Sequence, residues 1–266
     1  MHRTGHILLL HHSEGERMRY IADWFNAGLL VEDKLFYVDV AGWGVEQLSA
    51  GLSARGLDVD RALVDKRLEF VTLEDMLTVG VEGGLVDRAL SDEGHYGVRM
   101  AVRGDAGTQS IGPAAYEQVE TSLARLCHTR RVSVLCQYDG RTTQGPALEL
   151  TLDLHPDWVY ESDLSVLRRG HVIQVEGMVD SFDGDVLRRS LERMTRDLST
   201  DAVLALDLRQ VVSLTPGVLG ALVEGTRAYR GGGGRVRCAL PETDVGPLLT
   251  SMGTQDTVGF EVEQQP

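Results

Sequence analysis

Short apolar runs and longer amphipathic stretches alternate along the first part of the chain. The runs are rich in β-branched residues, as buried strands are, and the stretches between them repeat apolar residues at helical spacing. This alternation predicts an α/β fold, with a parallel sheet covered by helices on both faces. The predicted strands are His6–His11, Lys34–Val40, Leu68–Thr72, Gly97–Val102 and Arg131–Gln137. The predicted helices are Glu14–Leu30, Val45–Ala54, Leu73–Leu90 and Ala114–Leu126.

A second pattern begins after the region Tyr160–Leu164. Thr215 is a good helix N-cap and Pro216 suits the first helical position, so a helix is predicted to start there. The tract Gly231–Gly234 follows that helix and precedes a strand, which is typical of a C-cap and not of a phosphate-binding loop. The predicted strands are Val172–Gly177, Ala202–Leu208, Val236–Leu240 and Gly259–Val262. The predicted helices are Asp183–Leu198, Thr215–Arg230 and Asp244–Met252.

The composition is that of a soluble globular protein with room for two domains. The chain has 266 residues, of which 42% are hydrophobic and 25% are charged. The formal net charge is −14, and there is no basic stripe, so direct binding to nucleic acid is not predicted. The apolar run Ile7–Leu10 is too short for a secretory signal or a membrane span. We therefore expect a cytoplasmic protein that does not contact membranes.

The cysteines do not indicate metal binding or catalysis. Cys127, Cys136 and Cys238 form no C-x-x-C pair, and reduced, buried thiols are predicted. No Ser–His–Asp spacing or setting for a catalytic cysteine accompanies them. The chain is therefore predicted not to be an enzyme, and no cofactor is predicted.

The last hundred residues resemble the STAS domain. The run from Val172 to Asp180 resembles its opening strand with the Gly-x-x-Asp sequence, and Leu204–Leu219 resembles its signature strand, loop and helix. The resemblance covers roughly residues 164–266 and implies a small α/β domain of the type found in anti-sigma factor antagonists. It also implies a partner, an anti-sigma factor or a serine/threonine kinase of the GHKL type. Other STAS proteins are further possible partners.

The resemblance places Thr215 where the family has its phosphorylatable serine. A phosphate there would lie favourably at a helix N-terminus and would add negative charge to a docking surface. Leu214 stands where the family usually has aspartate, and Thr215 could equally be an N-cap alone. Ser213 is the second candidate for phosphorylation. The residues expected to bind the partner are Asp180, Thr215, Pro216 and Gly217.

Residues 1–163 resemble a different family, the MEDS domain. The resemblance rests on short motifs in a fixed order: His6–His11, Glu16, Gly28-Leu29, Tyr116-Glu117, Cys136–Asp139 and His155-Pro156. This family is a sensory domain of methanogen and methylotroph regulators that is also common in actinobacterial signalling proteins. The resemblance implies a fold related to the RecA/KaiC type of ATPase, without the nucleotide motifs, and a role in sensing a small molecule.

The turn after the first strand also argues against nucleotide binding. A P-loop needs several glycines and a lysine at this place. The sequence here runs from His11 to Glu16, with one glycine, no lysine and two carboxylates where phosphate would lie. Ser13 and Glu16 have the spacing of a capping box, which predicts the start of the first helix.

A ligand could still bind beyond the carboxyl ends of the strands, where open parallel sheets place their sites. Histidines with a carboxylate could also hold a divalent metal or haem iron, but no paired histidines on a helix support this, and no metal site is predicted. The candidate ligand-binding residues are His11, His12, Asp39, Arg103, Tyr138, Asp139 and His155.

The two resemblances together predict a signalling regulator of the anti-sigma factor antagonist type. The sensory domain would control how the STAS domain binds its partner, and hence transcription. Two alternatives stay open. One is a scaffold or oligomerisation protein, for example a homodimer, whose STAS domain is not phosphorylated. The other is a sensor that binds haem, a metal or a metabolite.

Overall fold

The structure is a computed structural model that describes residues 5–40, 44–79, 84–92, 95–161, 164–178, 183–241, 257 and 259–263. The chain divides into two compact units, Met1–Glu149 and Leu150–Pro266. Each unit is a layer of strands with helices packed against it. In the described residues, no helix combines the length and the apolar character that crossing a membrane requires.

The first unit contains a parallel sheet with the strand order β1-β5-β4-β2-β3. All five predicted strands are present, and the prediction of an α/β fold with a mostly parallel sheet is confirmed. The strands are β1 (Gly5–His11), β2 (Lys34–Asp39), β3 (Leu68–Thr72), β4 (Val98–Arg103) and β5 (Val132–Asp139). The helices are α1 (Glu14–Leu29), α2 (Val45–Ser53), α3 (Val59–Val64), α4 (Leu73–Val79), a π-helix (Arg88–Asp92), α5 (Gly104–Ile111) and α6 (Pro113–Thr129).

Helices cover both faces of this sheet, so alternate residues of one strand meet different helices. In β5, Gln137 contacts α1, whereas Cys136 and Tyr138 contact α6. The residues of β1 are divided between the two faces in the same way, because Leu9 is paired with Gln137 and Leu8 with Cys136. Both strands are buried over nearly their whole length, and so are the polar residues that they carry, such as His6 and Gln137.

Helix α1 begins where the sequence predicts. Ser13 is its N-cap and accepts a hydrogen bond from the backbone N–H of Glu16 at 3.1 Å. The Glu16 carboxylate turns back to the N–H of His12 at 2.9 Å, one residue before the position expected in a capping box. The helix predicted over Leu73–Leu90 begins at the expected residue, because α4 covers Leu73–Val79, and its last residues belong to the π-helix Arg88–Asp92. Residues 80–83 of this prediction lie outside the described residues.

The second unit combines two antiparallel pairings with a parallel set, in the order β6-β7-β8-β9-β10-β11. Its strands are β6 (Trp158–Glu161), β7 (Leu164–Arg169), β8 (Val172–Met178), β9 (Val203–Ser213), β10 (Arg235–Ala239) and β11 (Phe260–Glu263). The helices are α7 (Pro146–Leu154), whose first residues precede the division, α8 (Asp183–Arg196), α9 (Pro216–Gly225) and α10 (Arg227–Gly231). The helix predicted over Asp244–Met252 lies outside the described residues.

The helix predicted over Thr215–Arg230 is divided into α9 and α10. At the division, a Cβ added to Gly225 would lie 2.8 Å from the backbone oxygen of Arg188 in α8, so the close packing of these helices requires glycine. The glycine tract is the predicted C-cap, because α10 ends at Gly231 and Gly233 has φ of +92°.

Candidate functional site

A buried arginine organises the α1 face at the carboxyl edge of the first unit's sheet. The Arg17 side chain is fully buried, and its Nη1 donates to Tyr37 Oη at 2.5 Å and to Gln137 Oε1 at 2.8 Å. Its Nε and Nη2 donate to the carboxylate of Glu14, at 2.8 and 2.5 Å. Burial alone would lower the pKa of Arg17, but the bonds with Glu14 and Tyr37 raise it. The guanidinium is therefore a permanent charge beneath the strand ends.

Asp39 and Arg103, at the ends of β2 and β4, lie on the same face. Arg103 Nη1 is 3.7 Å from Asp39 Oδ2, and Arg103 Nε donates to Asp105 Oδ1 at 3.1 Å. Burial raises the pKa of Asp39, against the opposing effects of the Val40 N–H and of Arg103. Two of the predicted ligand-binding residues are thus in contact, as sites at the carboxyl ends of parallel strands require.

His11, the last residue of β1, is the least satisfied polar group of this cluster. Its side chain is buried, and neither ring nitrogen has a hydrogen-bond partner among the described residues. Burial, and secondarily the charge of Arg17, lower the pKa of His11 to about 4. The imidazole is therefore neutral near pH 7 and offers one donor and one acceptor. We name His11, Arg17, Asp39, Arg103 and Asp105 the strand-end cluster.

The other predicted residues near these strand ends have different surroundings. His12 is exposed, and its ring packs so closely over Gly140 that an added Cβ would lie 2.7 Å from it. Asp139 binds the exposed Arg141 and accepts from its backbone N–H, and the bond with Arg141 lowers the pKa of Asp139 to about 2. His12 directly follows β1, whereas Asp139 is the last residue of β5 and binds the surface turn that comes after it.

Tyr138 lies on the opposite face of the sheet, in a second group of polar residues. Its hydroxyl donates to Glu120 Oε1 at 2.7 Å, and the other carboxylate oxygen, Oε2, is 2.9 Å from His6 Nε2 and 3.2 Å from Cys136 Sγ. The sulfur and the His6 nitrogen are 3.3 Å apart. Burial, and then Glu120, raise the pKa of the Cys136 thiol. We name His6, Glu120 and Cys136 the α6-face cluster.

His155 belongs to the second unit. It is buried just after α7, with Nδ1 2.8 Å from the carbonyl oxygen of Thr151. This geometry is typical of a histidine that closes the end of a helix.

In the second unit, Thr215 is the N-cap of α9. Its Oγ1 accepts from the backbone N–H of Val218 at 3.3 Å, and Pro216 occupies the first turn. Pro216 and Gly217 are exposed, and Ser213 is the last residue of β9. Asp180 lies outside the described residues.

Two residues that organise these clusters were missed by the sequence analysis, although the sequence carries a signal for both. Arg17 stands in the buried stripe of α1 with Ile21 and Phe25, and Glu120 stands in that of α6 with Tyr116 and Leu123. A charge within an apolar stripe at helical spacing indicates a buried, partnered group.

The structure also shows what has replaced a phosphate site at the first turn. The N–H of Glu16 is bonded to Ser13, the N–H of His12 is bonded to the Glu16 carboxylate, and Glu14 holds Arg17. The chain's own side chains therefore use the donors and the cation that an anion would need.

Comparison with known proteins gives a family model that matches the chain and solved structures that are similar to it. No curated protein is similar to this chain. A KaiC-like protein, PH0186, from the hyperthermophilic archaeon Pyrococcus horikoshii OT3 is similar with 9% identity and a TM-score of 0.46, over 66% of this chain and 79% of that one. The sequence model of the MEDS family, the methanogen/methylotroph DcmR sensory domain, matches residues 5–156. This chain therefore belongs to the MEDS family, and its first unit has a sensory role.

Proposed function

We propose that the chain is a signalling regulator whose MEDS unit binds a small, uncharged polar molecule at the strand-end cluster. Ligand binding would control how the second unit, as a STAS domain of the anti-sigma factor antagonist type, binds an anti-sigma factor or a GHKL kinase. The observation that carries the first part is His11, a buried neutral imidazole with two unpartnered nitrogens at the edge where parallel sheets bind ligands. The proposal includes no catalytic activity.

The charges of the cluster favour an uncharged ligand. Glu14 already neutralises Arg17, and Arg103 lies between Asp39 and Asp105. An anionic ligand would have to displace these carboxylates, and a cation would meet two guanidinium groups. A neutral molecule with a hydroxyl, carbonyl or amide group needs only the donor and the acceptor that His11 offers. A buried polar group gains most from such a partner, because a buried donor or acceptor that makes no hydrogen bond costs about 1–3 kcal/mol.

Thermal unfolding of the full chain tests this site. Wild type, His11→Leu and the control His128→Ala, which changes an exposed histidine of α6, are compared in the presence of short-chain alcohols, ketones and amides. We expect at least one compound to stabilise wild type and the control in a concentration-dependent manner, by about 2.7 kcal/mol at a hundred times its dissociation constant, and not His11→Leu. Equal stabilisation of all three proteins would exclude His11 from the site.

The second part is supported by the order of elements in the second unit. Strand β8 is followed by α8, β9, the helices α9 and α10, and β10, which is the alternation of strands and helices expected from the resemblance to STAS domains. Two large apolar side chains lie exposed beside the start of α9: Met178 is 51% exposed and Val212 is 70% exposed. Met178 is paired with Ser213 in the register of β8 and β9, and Ser213 lies two residues before Thr215. An apolar patch beside a helix N-terminus is a suitable docking surface for a protein partner.

Replacing Thr215 with either aspartate or asparagine separates charge from capping. Both residues cap helices well, so α9 is preserved, and only aspartate adds the negative charge that phosphorylation would bring. We expect wild type and Thr215→Asn to capture a GHKL kinase or anti-sigma factor from cells, and Thr215→Asp to lose it by tenfold or more. Mass spectrometry of the chain after incubation with that kinase and ATP should find phosphate on Thr215.

Two observations favour the alternative of a scaffold without phosphorylation: Thr215 Oγ1 already accepts the Val218 N–H, and Leu214 stands where the family usually has aspartate. Under this alternative, Thr215→Asn and Thr215→Asp bind the same partners equally. Native mass spectrometry would then show an assembly with itself or with other STAS proteins.

A further inference from the structure

The α6-face cluster brings three different metal-binding groups together in the interior. An imidazole nitrogen, a carboxylate oxygen and a thiol sulfur lie 2.9, 3.2 and 3.3 Å from one another. His6 is 7% exposed, and Glu120 and Cys136 are 0% exposed. From this arrangement we propose that the MEDS unit holds a Zn²⁺ ion, with His6, Glu120 and Cys136 among its ligands.

At most two of the three contacts can be hydrogen bonds at the same time. Nε2 of His6 carries at most one hydrogen, and when it does, it has no lone pair with which to accept another. If it donates to Glu120, the contact between Nε2 and Cys136 Sγ has no proton, whereas if it accepts from Cys136, the sulfur has none left for Glu120. Every arrangement of protons leaves one side of the triangle unbonded. A metal ion accepts a lone pair from all three atoms at once.

The dimensions of the triangle fit zinc. With bonds of about 2.0–2.3 Å, neighbouring ligands around a tetrahedral zinc ion lie roughly 3.3–3.7 Å apart. The three atoms therefore need to separate by only a few tenths of an ångström. Nitrogen and sulfur ligands together with a carboxylate suit Zn²⁺, whereas Ca²⁺ and Mg²⁺ prefer oxygen alone.

The charges are also consistent with a bound cation. The groups that contact the buried carboxylate of Glu120 include His6, Cys136 and Tyr138, and none of these three carries a fixed positive charge. Zinc binding would release the thiol proton of Cys136 to solvent and leave a thiolate on the metal, so that Zn²⁺ is balanced by two negative ligands. Tyr138 donates to the carboxylate oxygen that faces away from this triangle, and would fix the orientation of Glu120 as a positioning residue.

A nucleophilic role for Cys136 is less consistent with the geometry. In a Cys–His–carboxylate triad, the carboxylate binds one ring nitrogen and the thiol binds the other. Here Glu120 and Cys136 both contact Nε2 of His6. The sulfur is fully buried, and so a substrate could not reach it.

The test uses the full chain, produced without a histidine tag, stripped with a chelator and titrated with Co²⁺ and then Zn²⁺. We expect one ion per chain, with the intense near-ultraviolet absorption of a cobalt–thiolate bond that Zn²⁺ displaces. Cys136→Ser should abolish that absorption and lower Zn²⁺ affinity by about 100-fold. Cys127→Ser and Cys238→Ser, which change the other two buried thiols, should leave both unchanged.

Glu120→Gln and His6→Gln keep the size of the side chain and provide a second route if Cys136→Ser fails to fold. Each should weaken Zn²⁺ binding by tenfold or more, while circular dichroism of the metal-free protein shows that the fold is retained. The proposal is overturned if wild type gives no thiolate absorption, or if the absorption persists in Cys136→Ser. Because the strand-end cluster is on the other face, either result leaves the test of His11 unaffected.

Discussion

The two faces of the first unit's sheet use the same pair of strands for different chemistry. On the α1 face, Arg17 holds together fixed charges and Gln137 beneath the strand ends. On the α6 face, Glu120 contacts a histidine, a thiol and a phenol within the interior. Neighbouring residues of β5 belong to different clusters, because successive side chains of a strand point to opposite faces. On a buried parallel sheet, the residues of one site therefore share a face of the sheet. Two residues that are neighbours in the sequence of a strand belong to different sites.

The largest effect that should distinguish the faces comes from Arg17→Met. This change removes the guanidinium that donates to Tyr37 and Gln137 inside the protein. We expect a loss of about 3 kcal/mol in the free energy of unfolding. Arg141→Met, which changes an exposed arginine of the surface turn, should leave stability almost unchanged. Urea denaturation at pH 7 measures both. A small loss in Arg17→Met would mean that the α1 face does not depend on its buried charge.

Acidification should weaken the α1 face through His11. Its pKa is about 4 in the folded chain against 6.5 when unfolded, so the unfolded state binds more protons between these values. Stability from this group is present above pH 6.5 and is lost as the pH falls toward 4. Between pH 7.5 and pH 5, we expect wild type to lose about 2 kcal/mol more than His11→Leu does. The same loss in both proteins, measured by urea denaturation, would contradict a buried neutral imidazole.

Two tyrosine-to-phenylalanine changes give the smallest and most specific comparison. Tyr138→Phe removes the donor that orients Glu120, and should lower Zn²⁺ affinity by about tenfold, or about 1.4 kcal/mol. Tyr37→Phe makes the same change on the α1 face and should leave Zn²⁺ affinity unaltered. Competition with a chromophoric chelator measures both affinities. An equal reduction would show that the two faces are coupled through the strands.

Much of the fold was predictable, because its signals are local. The five strands of the first unit are mostly apolar runs, and the starts of α1 and α9 follow from Ser13 and Thr215, whose side chains are the observed caps. The short helices α3 and α5 were not predicted, since each is only about one or two turns long. A short helix depends on packing more than on its own periodicity.

The candidate site was predicted in part. His11, Asp39 and Arg103 were selected from the ends of strands, and the structure places them on one face. Tyr138 was selected by the same reasoning but contacts Glu120 on the other face. Because side chains alternate along a strand, the sequence places Tyr138 on the opposite face from Gln137. The spacing of residues in the sequence does not identify Glu120 as the partner of Tyr138.

The sequence by itself determined which segments form strands and helices, where two helices begin, and that the first turn carries acid in place of a phosphate-binding loop. These features depend on residues within a few positions of one another. Only the tertiary structure decided that Arg17 meets Gln137 and that His6 meets Glu120 and Cys136, across separations of 114 to 130 residues. Strand order, register and the helix above each face set those meetings, and they are fixed by the packing of the whole unit.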